Sequence, residues 1–231
     1  MLLLAAVVLS GCNEGGPFAP SVSPPSSNPA ISQTGTQTVK QRIQQLRSDQ
    51  AALANGISQQ QAQLNATRSR LSSDSAAYSS LVNGITSRLQ TGTTPGNPEL
   101  VSQWNAAQAK LDDATLGVGQ LNSLASQVTT QASVAGYLLE NIRATFAVGG
   151  AVDEDHRNLR AIESETTRSM QQIDRLIGDL NAQIGRENGF LARERTNLAA
   201  LSYGVNLGRL GSPPGAQRGA TVTQRRPVPL Q

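Results

Sequence analysis

One cysteine, one tryptophan, three phenylalanines and three tyrosines are all that 231 residues hold of these types. A lone thiol excludes an intramolecular disulfide, so no covalent staple supports the fold. So few large rings exclude a thick globular core, whereas a slender helical bundle needs only a narrow apolar seam. Charge is also scarce in excess: the formal net value is +3, and Arg218, Arg225 and Arg226 sit in a final segment without an acid. The rest of the chain is balanced, which argues against a nucleic-acid-binding surface. After the first dozen residues no apolar run is long enough to cross a bilayer as a helix. What is plentiful is Ala, Ser, Gln, Asn and Thr.

The chain opens with Leu2-Leu3-Leu4-Ala5-Ala6-Val7-Val8-Leu9, a short unbroken apolar run. It fits the apolar part of a secretion signal and is too short for a membrane span. No Lys or Arg precedes it. The run leads into Leu9-Ser10-Gly11-Cys12, which resembles the lipobox of bacterial lipoproteins. That resemblance, confined to the first twelve residues, implies that residues 1–11 are a cleaved signal and that the Cys12 sulfur takes a diacylglycerol. It also implies acylation of the new amino group, and several buried acyl chains anchor a protein stably where one would not. Asn rather than Asp at position 13 favours the outer membrane by analogy with the lipoprotein sorting rule.

Residues 12–37 then form a stretch dominated by Gly, Pro, Ser and Asn, including Gly15-Gly16-Pro17, Pro24-Pro25 and Pro29. It lacks periodicity and reads as a disordered linker, with an upper reach of about 75 Å at ~3.1 Å per residue. Helical order is expected from Thr38, where Thr38-Val39-Lys40-Gln41 has the form of a capping box. Ile43, Ile57, Leu64, Leu71, Tyr78 and Ile85 recur at seven-residue spacing, with Gln50 the polar member of the row. A second row holds Leu46, Leu53 and Leu81, interrupted by Gln60, Thr67 and Asp74. This first helix, about 38–90, stops at the breaker Thr91-Gly92-Thr93-Thr94-Pro95-Gly96.

The second helix, about 98–147, carries the clearest signal. Asn97 is a good N-cap, Pro98 suits the first helical position and Glu99 complements the dipole. One row reads Leu100, Ala107, Ala114, Leu121, Val128, Ala135, Ile142, and the other Trp104, Leu111, Val118, Ala125, Ala132, Leu139, Phe146. Both are apolar throughout, and their period of 3.5 excludes a strand. Gly149-Gly150 ends this helix, and Asp153-Glu154-Asp155 offers a cap and acidic first turn to a third, about 153–208. The apolar stripe of the third helix, from Leu159 to Leu201, drifts around the axis, as for a helix facing two partners. The short connections demand antiparallel neighbours. The expected fold is therefore all-α: an elongated antiparallel three-helix coiled-coil bundle over 38–210, with a disordered linker before it and a disordered basic tail, 211–231, after it. Internal glycines such as Gly56, Gly117, Gly119 and Gly185 are expected to mark close packing or bending.

Catalytic chemistry finds little support. His156 beside Asp153, Glu154 and Asp155 allows a metal reading, against which stands a solvated, dipole-complementing helical turn; the reading adopted has no metal and no cofactor. Leu116-Gly117-Val118-Gly119 sits within a helix and lacks the Lys-Ser/Thr continuation of a phosphate loop. Asp112 and Asp113 are read as a solvated surface, and the alternating arginines and acids of the third helix as i,i+3 or i,i+4 pairs on an exposed face. No catalytic residue is assigned, and Cys12 is the one site residue, for lipidation. The function expected is that of a non-enzymatic envelope lipoprotein, facing the periplasm from the outer membrane, that serves as a scaffold, spacer or docking element for another envelope protein. Two alternatives are a periplasmic chaperone or substrate-binding module using interhelical grooves, and a helical adaptor of a secretion or efflux channel. The basic tail is expected to touch anionic lipid or the cell wall.

Overall fold

A computed structural model describes residues 29–149 and 151–210, with side chains from residue 37 onward. Three helices make up the fold: α1 (Pro29–Thr91), α2 (Pro98–Phe146) and α3 (Asp153–Leu207). Their 63, 49 and 55 residues correspond to roughly 94, 74 and 82 Å at 1.5 Å per residue.

Side-chain contacts fix the directions. Along α1 and α2 the facing pairs are Gly56 with Gln131, Leu71 with Gly117, Asp74 with Lys110 and Gly84 with Gln103. One number rises as the other falls, so these helices are antiparallel. Trp104 with Leu198, Thr115 with Arg195 and Phe146 with His156 show the same for α2 and α3. Arg47 meets Asn158 and Arg68 meets Asp179, both at a separation of 111 residues, so α1 and α3 run parallel. The result is an up-down-up three-helix bundle.

The core follows the rows read from the sequence. In α1, Ile43, Leu46, Leu53, Ile57, Leu64, Leu71, Tyr78 and Ile85 are buried, and the helix adds Val39 and Leu89. The first row of α2 is buried from Leu100 to Ile142 without exception. Its second row departs from expectation at Trp104, which is half-buried, and again after Val118. Leu124, Leu138 and Thr145 are buried in place of Ala125, Ala132, Leu139 and Phe146, which are half-buried. Helix α2 lies between two partners, so both flanks of its first row meet a neighbour. Turning Leu124 inward removes more apolar surface from water than turning Ala125 would.

Two helix starts also differ. Helix α1 begins at Pro29, not Thr38, so residues 29–37 of the expected linker are helical. Proline at the first helical position gives up an amide that has no intrahelical partner anyway. The Thr38–Gln41 pattern consequently lies inside the helix. At α3 the cap position belongs to Val152, whose backbone N–H donates to the Asp155 carboxylate at 3.2 Å. That bond draws Asp155 to 1% exposure, where a solvated acidic turn was expected. The other boundaries fall within a residue of the pattern.

Candidate functional site

Cys12, the apolar run before it, linker residues 13–28 and the tail 211–231 lie outside the described residues. The lipobox is therefore a feature of sequence alone. The other sequence-flagged groups can be followed in place.

His156 stacks on Phe146 at the α2–α3 junction, with ring centroids 5.8 Å apart and 11° between planes. Asp155 is occupied by the cap, while Asp153 and Glu154 are exposed. No group of three or more His, Cys, Asp or Glu side chains among the described residues is placed to hold a metal ion. Asp112 is exposed and accepts from Gln108, in keeping with a solvated surface. Asp113 instead joins a cluster around Asp74.

In that cluster only Asp74 is set into the apolar seam, while the Lys110 and Asp113 side chains are 34% and 36% exposed. Asp74 occupies a core position of α1 and its side chain is 11% exposed. Lys110 of α2 donates to Asp74 Oδ1 at 3.0 Å and to Asp113 Oδ2 at 3.1 Å. Arg70 Nε lies 3.8 Å from the second Asp74 oxygen, which has no hydrogen bond. The hydrogen bond it donates to Asp74, and after it the one to Asp113, holds the Lys110 ammonium above its ordinary pKa. A charge brought into a seam costs desolvation and gains most when it meets its opposite, so the pair penalises any slip of α1 against α2 that separates them. The sequence showed Asp74 only as an interruption. The missing signal was Lys110 standing immediately before the apolar Leu111, at the matching level of the antiparallel partner.

Close by, Tyr78 packs edge-on against Phe190, with centroids 5.9 Å apart. Its hydroxyl donates to the Glu194 carbonyl at 3.1 Å. Burial, followed by the Glu194 charge, pushes the phenol well above its usual pKa. Polar groups enter the seam further along too: Gln60, Thr166 and Ser169 are buried, and the Thr166 hydroxyl donates to the Ile162 carbonyl.

The far end of the bundle is closed by backbone bonds. The α1–α2 loop docks on the end of α3 through Thr93 N–H to Gly208 O at 2.8 Å and Gly96 N–H to Val205 O at 3.0 Å. Leu210 N–H returns to Leu89 O at 3.3 Å. Gly208 sits at φ +70°, and a Cβ there would lie 2.2 Å from the Thr93 carbonyl oxygen; only glycine fits. Trp104 donates its indole N–H to Leu198 O at 2.8 Å. Asn97 caps α2 by accepting from Glu99 N–H at 2.9 Å.

The arginines of α3 do not form the expected intrahelical pairs. Among the described residues no ion pair within α3 falls inside 4 Å; Asp179 pairs with Arg68 of α1 at 3.9 Å, and Arg195 donates to Thr115 of α2. Other charges of α3 bond neutral side chains of their own helix: Arg186 donates to Gln183, Glu187 accepts from Gln183 and Glu194 accepts from Asn197. A surface groove of about 710 Å³ runs between α1 and α3, lined by small and polar groups such as Ala54, Ser58, Gln61 and Asn65, and by Arg175 and Asp179. Of the apolar row residues, Ile57 lines its floor. Among the described residues no helix is long and apolar enough to cross a membrane. Comparison with protein-family models, with curated proteins and with solved structures returns no match.

Proposed function

We propose that this chain is a non-enzymatic lipoprotein of the bacterial envelope, lipidated at Cys12, which presents a helical rod at a membrane as a spacer, scaffold or docking element for another envelope protein. The observation that carries this reading is the sequence Leu9-Ser10-Gly11-Cys12 placed ahead of a three-helix bundle. Polar groups buried in the bundle serve its own register and caps, as Asp74, Asp155 and Tyr78 do. That pattern suits a structural element better than a reactive centre.

The topology refines the layout. Helix α1 enters from the lipid-bearing terminus, whereas Leu210 ends against Leu89 at the opposite end. With α1 spanning roughly 94 Å, Leu210, after which the sequence continues to Arg218, Arg225 and Arg226, lies at the end of the bundle remote from Pro29. This favours the cell wall or a second envelope protein over the anchoring leaflet as the partner of the tail. Asn13 favours an outer-membrane location facing the periplasm.

Cys12→Ala tests the anchor in the producing cell. The expected result is an unprocessed precursor, unlabelled by fatty acid and lost from the outer-membrane fraction. A variant that is still cleaved after Gly11 and still fractionates with the outer membrane defeats the reading. Crosslinking in intact envelopes then identifies what the rod touches.

A further inference from the structure

We propose that the outer face of α2 pairs, antiparallel and about a two-fold axis, with the same face of a second copy of this chain. Residues 114–139 contain no Asp, Glu, Lys, Arg or His, a charge-free stretch of about 39 Å of helix. Opposite the core, Leu116, Gly119, Ser123, Ser126, Gln127, Thr130, Val134 and Tyr137 follow one another along an exposed stripe. Its apolar members protrude: Leu116 is 63%, Val134 45% and Tyr137 72% exposed.

The polar members are less polar than their names suggest. Ser126 donates to Asn122 O, Thr130 to Ser126 O, and the flanking Thr129 to Ala125 O. Hydroxyls already bonded to their own helix turn methyl and methylene groups outward and lose little when water is removed. Such a face offers no cation to an anionic lipid or nucleic acid and no counter-charge to a charged protein. A second copy brings the same neutrality, so no register within the stretch opposes like charges.

The shape agrees. An axis between Ser126 and Gln127 sets Leu116 of one copy level with Tyr137 of the other. The same axis sets Val134, the third protruding side chain, opposite Gly119, where a Cβ would find nothing within 4 Å in the single chain. Ser123 then faces Thr130 and Ser126 faces Gln127, and the small Ser123 and Ser126 leave room for the longer side chains opposite them. This is the self-matching required of an isologous contact. The exposed side chains of α3 include Glu165, Arg168 and Asp174 instead and have no such neutrality.

Sedimentation equilibrium on the chain from Asn13 to Gln231, which keeps the whole bundle and has neither lipid nor thiol, tests the pairing. The expected result is a concentration-dependent dimer. Leu116→Glu with Tyr137→Glu should raise its Kd by more than about tenfold, because charges are buried without partners, while the circular dichroism spectrum stays helical. Ser126→Cys should form a disulfide dimer on mild oxidation, and Thr167→Cys on α3 should not. A chain that stays monomeric at every concentration overturns the proposal, as does a dimer indifferent to the two glutamates or one trapped equally from position 167.

Discussion

Gly117→Ala should lower stability although it replaces the poorest ordinary helix former with the best. Gly117 is buried on α2, and a Cβ built on it lies 2.6 Å from Leu71 Cδ2 and 3.1 Å from Leu71 Cγ. Leu71 is itself only 1% exposed, so it has little room to withdraw. The preferred carbon–carbon separation is about 3.5–4.0 Å, which makes the new methyl about 1 Å too close. Helix propensity contributes up to ~1 kcal/mol in favour of Ala, and overpacking of a filled core costs ~1–3 kcal/mol. The net expectation is a change between about zero and a loss of ~2 kcal/mol. Gly185→Ala on α3 is the control: the position is exposed and its Cβ meets nothing within 4 Å, so the full gain of up to ~1 kcal/mol should appear. Urea titrations followed by circular dichroism measure both, with an unchanged slope required before midpoints are compared. Adding Leu71→Ala gives a second readout. Alone it should cost ~2–5 kcal/mol, and with Gly117→Ala it should cost less than the sum, because the added methyl fills part of the space. If Gly117→Ala raises the midpoint as much as Gly185→Ala, or the two core changes simply add, the close approach of α1 to α2 has been misread.

Three further outcomes follow from the same contacts. Trp104→Phe keeps most of the ring but loses the indole bond to Leu198 O, and denaturant titration should show a loss of ~1 kcal/mol; no change would mean that water replaces the bond freely. Lys110→Met leaves Asp74 without its nearest cation and should lower the thermal midpoint. Adding Asp74→Leu should recover stability, since the carboxylate left without its cation in the seam is then gone; a double variant no better than Lys110→Met alone would deny the pairing. Alkaline titration probes Tyr78, whose phenol is raised in the folded chain by burial and then by Glu194. A raised pKa means that the folded state holds its proton longer than the unfolded state, so the stabilisation is complete below about pH 10 and is lost above it. Lys110, also raised, contributes in the same window and the same direction. Tyr78→Phe should therefore flatten, though not abolish, the fall in urea midpoint above about pH 10; an unaltered slope would exclude Tyr78 as a contributor.

The internal glycines show where sequence reading reached and where it stopped. Close packing or bending was expected to explain them, and close packing can be followed position by position. It holds at Gly117, at Gly56 beneath Gln131, and at Gly204 beside Leu89. At Gly119, Gly136, Gly178 and Gly185 a Cβ would meet nothing within 4 Å. Periodicity alone could not separate the two sets, because it records distance from the seam along one helix and carries no information about the neighbour's side chain at that level.

The same distinction runs through the whole fold. Helix number, direction and most of the core were legible, since an apolar row with a 3.5-residue period and short breakers leaves few other ways to remove that surface from water. The choice of Leu124 over Ala125 was hidden because it depends on having a partner on each side of α2. The role of Asp74 was hidden because a carboxylate in an apolar row becomes intelligible only when the cation on the facing helix is known. Asp155 had been assigned to solvent with its acidic neighbours, and one backbone N–H drew it inside. Leu124 and Asp74 act through groups on another segment, and Asp155 through the cap of its own helix. The positions that carry partner choice in a bundle are therefore the ones that look like exceptions in its sequence. By that reasoning the uncharged outer stripe of α2, which serves neither the core nor solvent attraction, is the next place to expect a partner, and Leu116 and Tyr137 are the side chains with which to look for it.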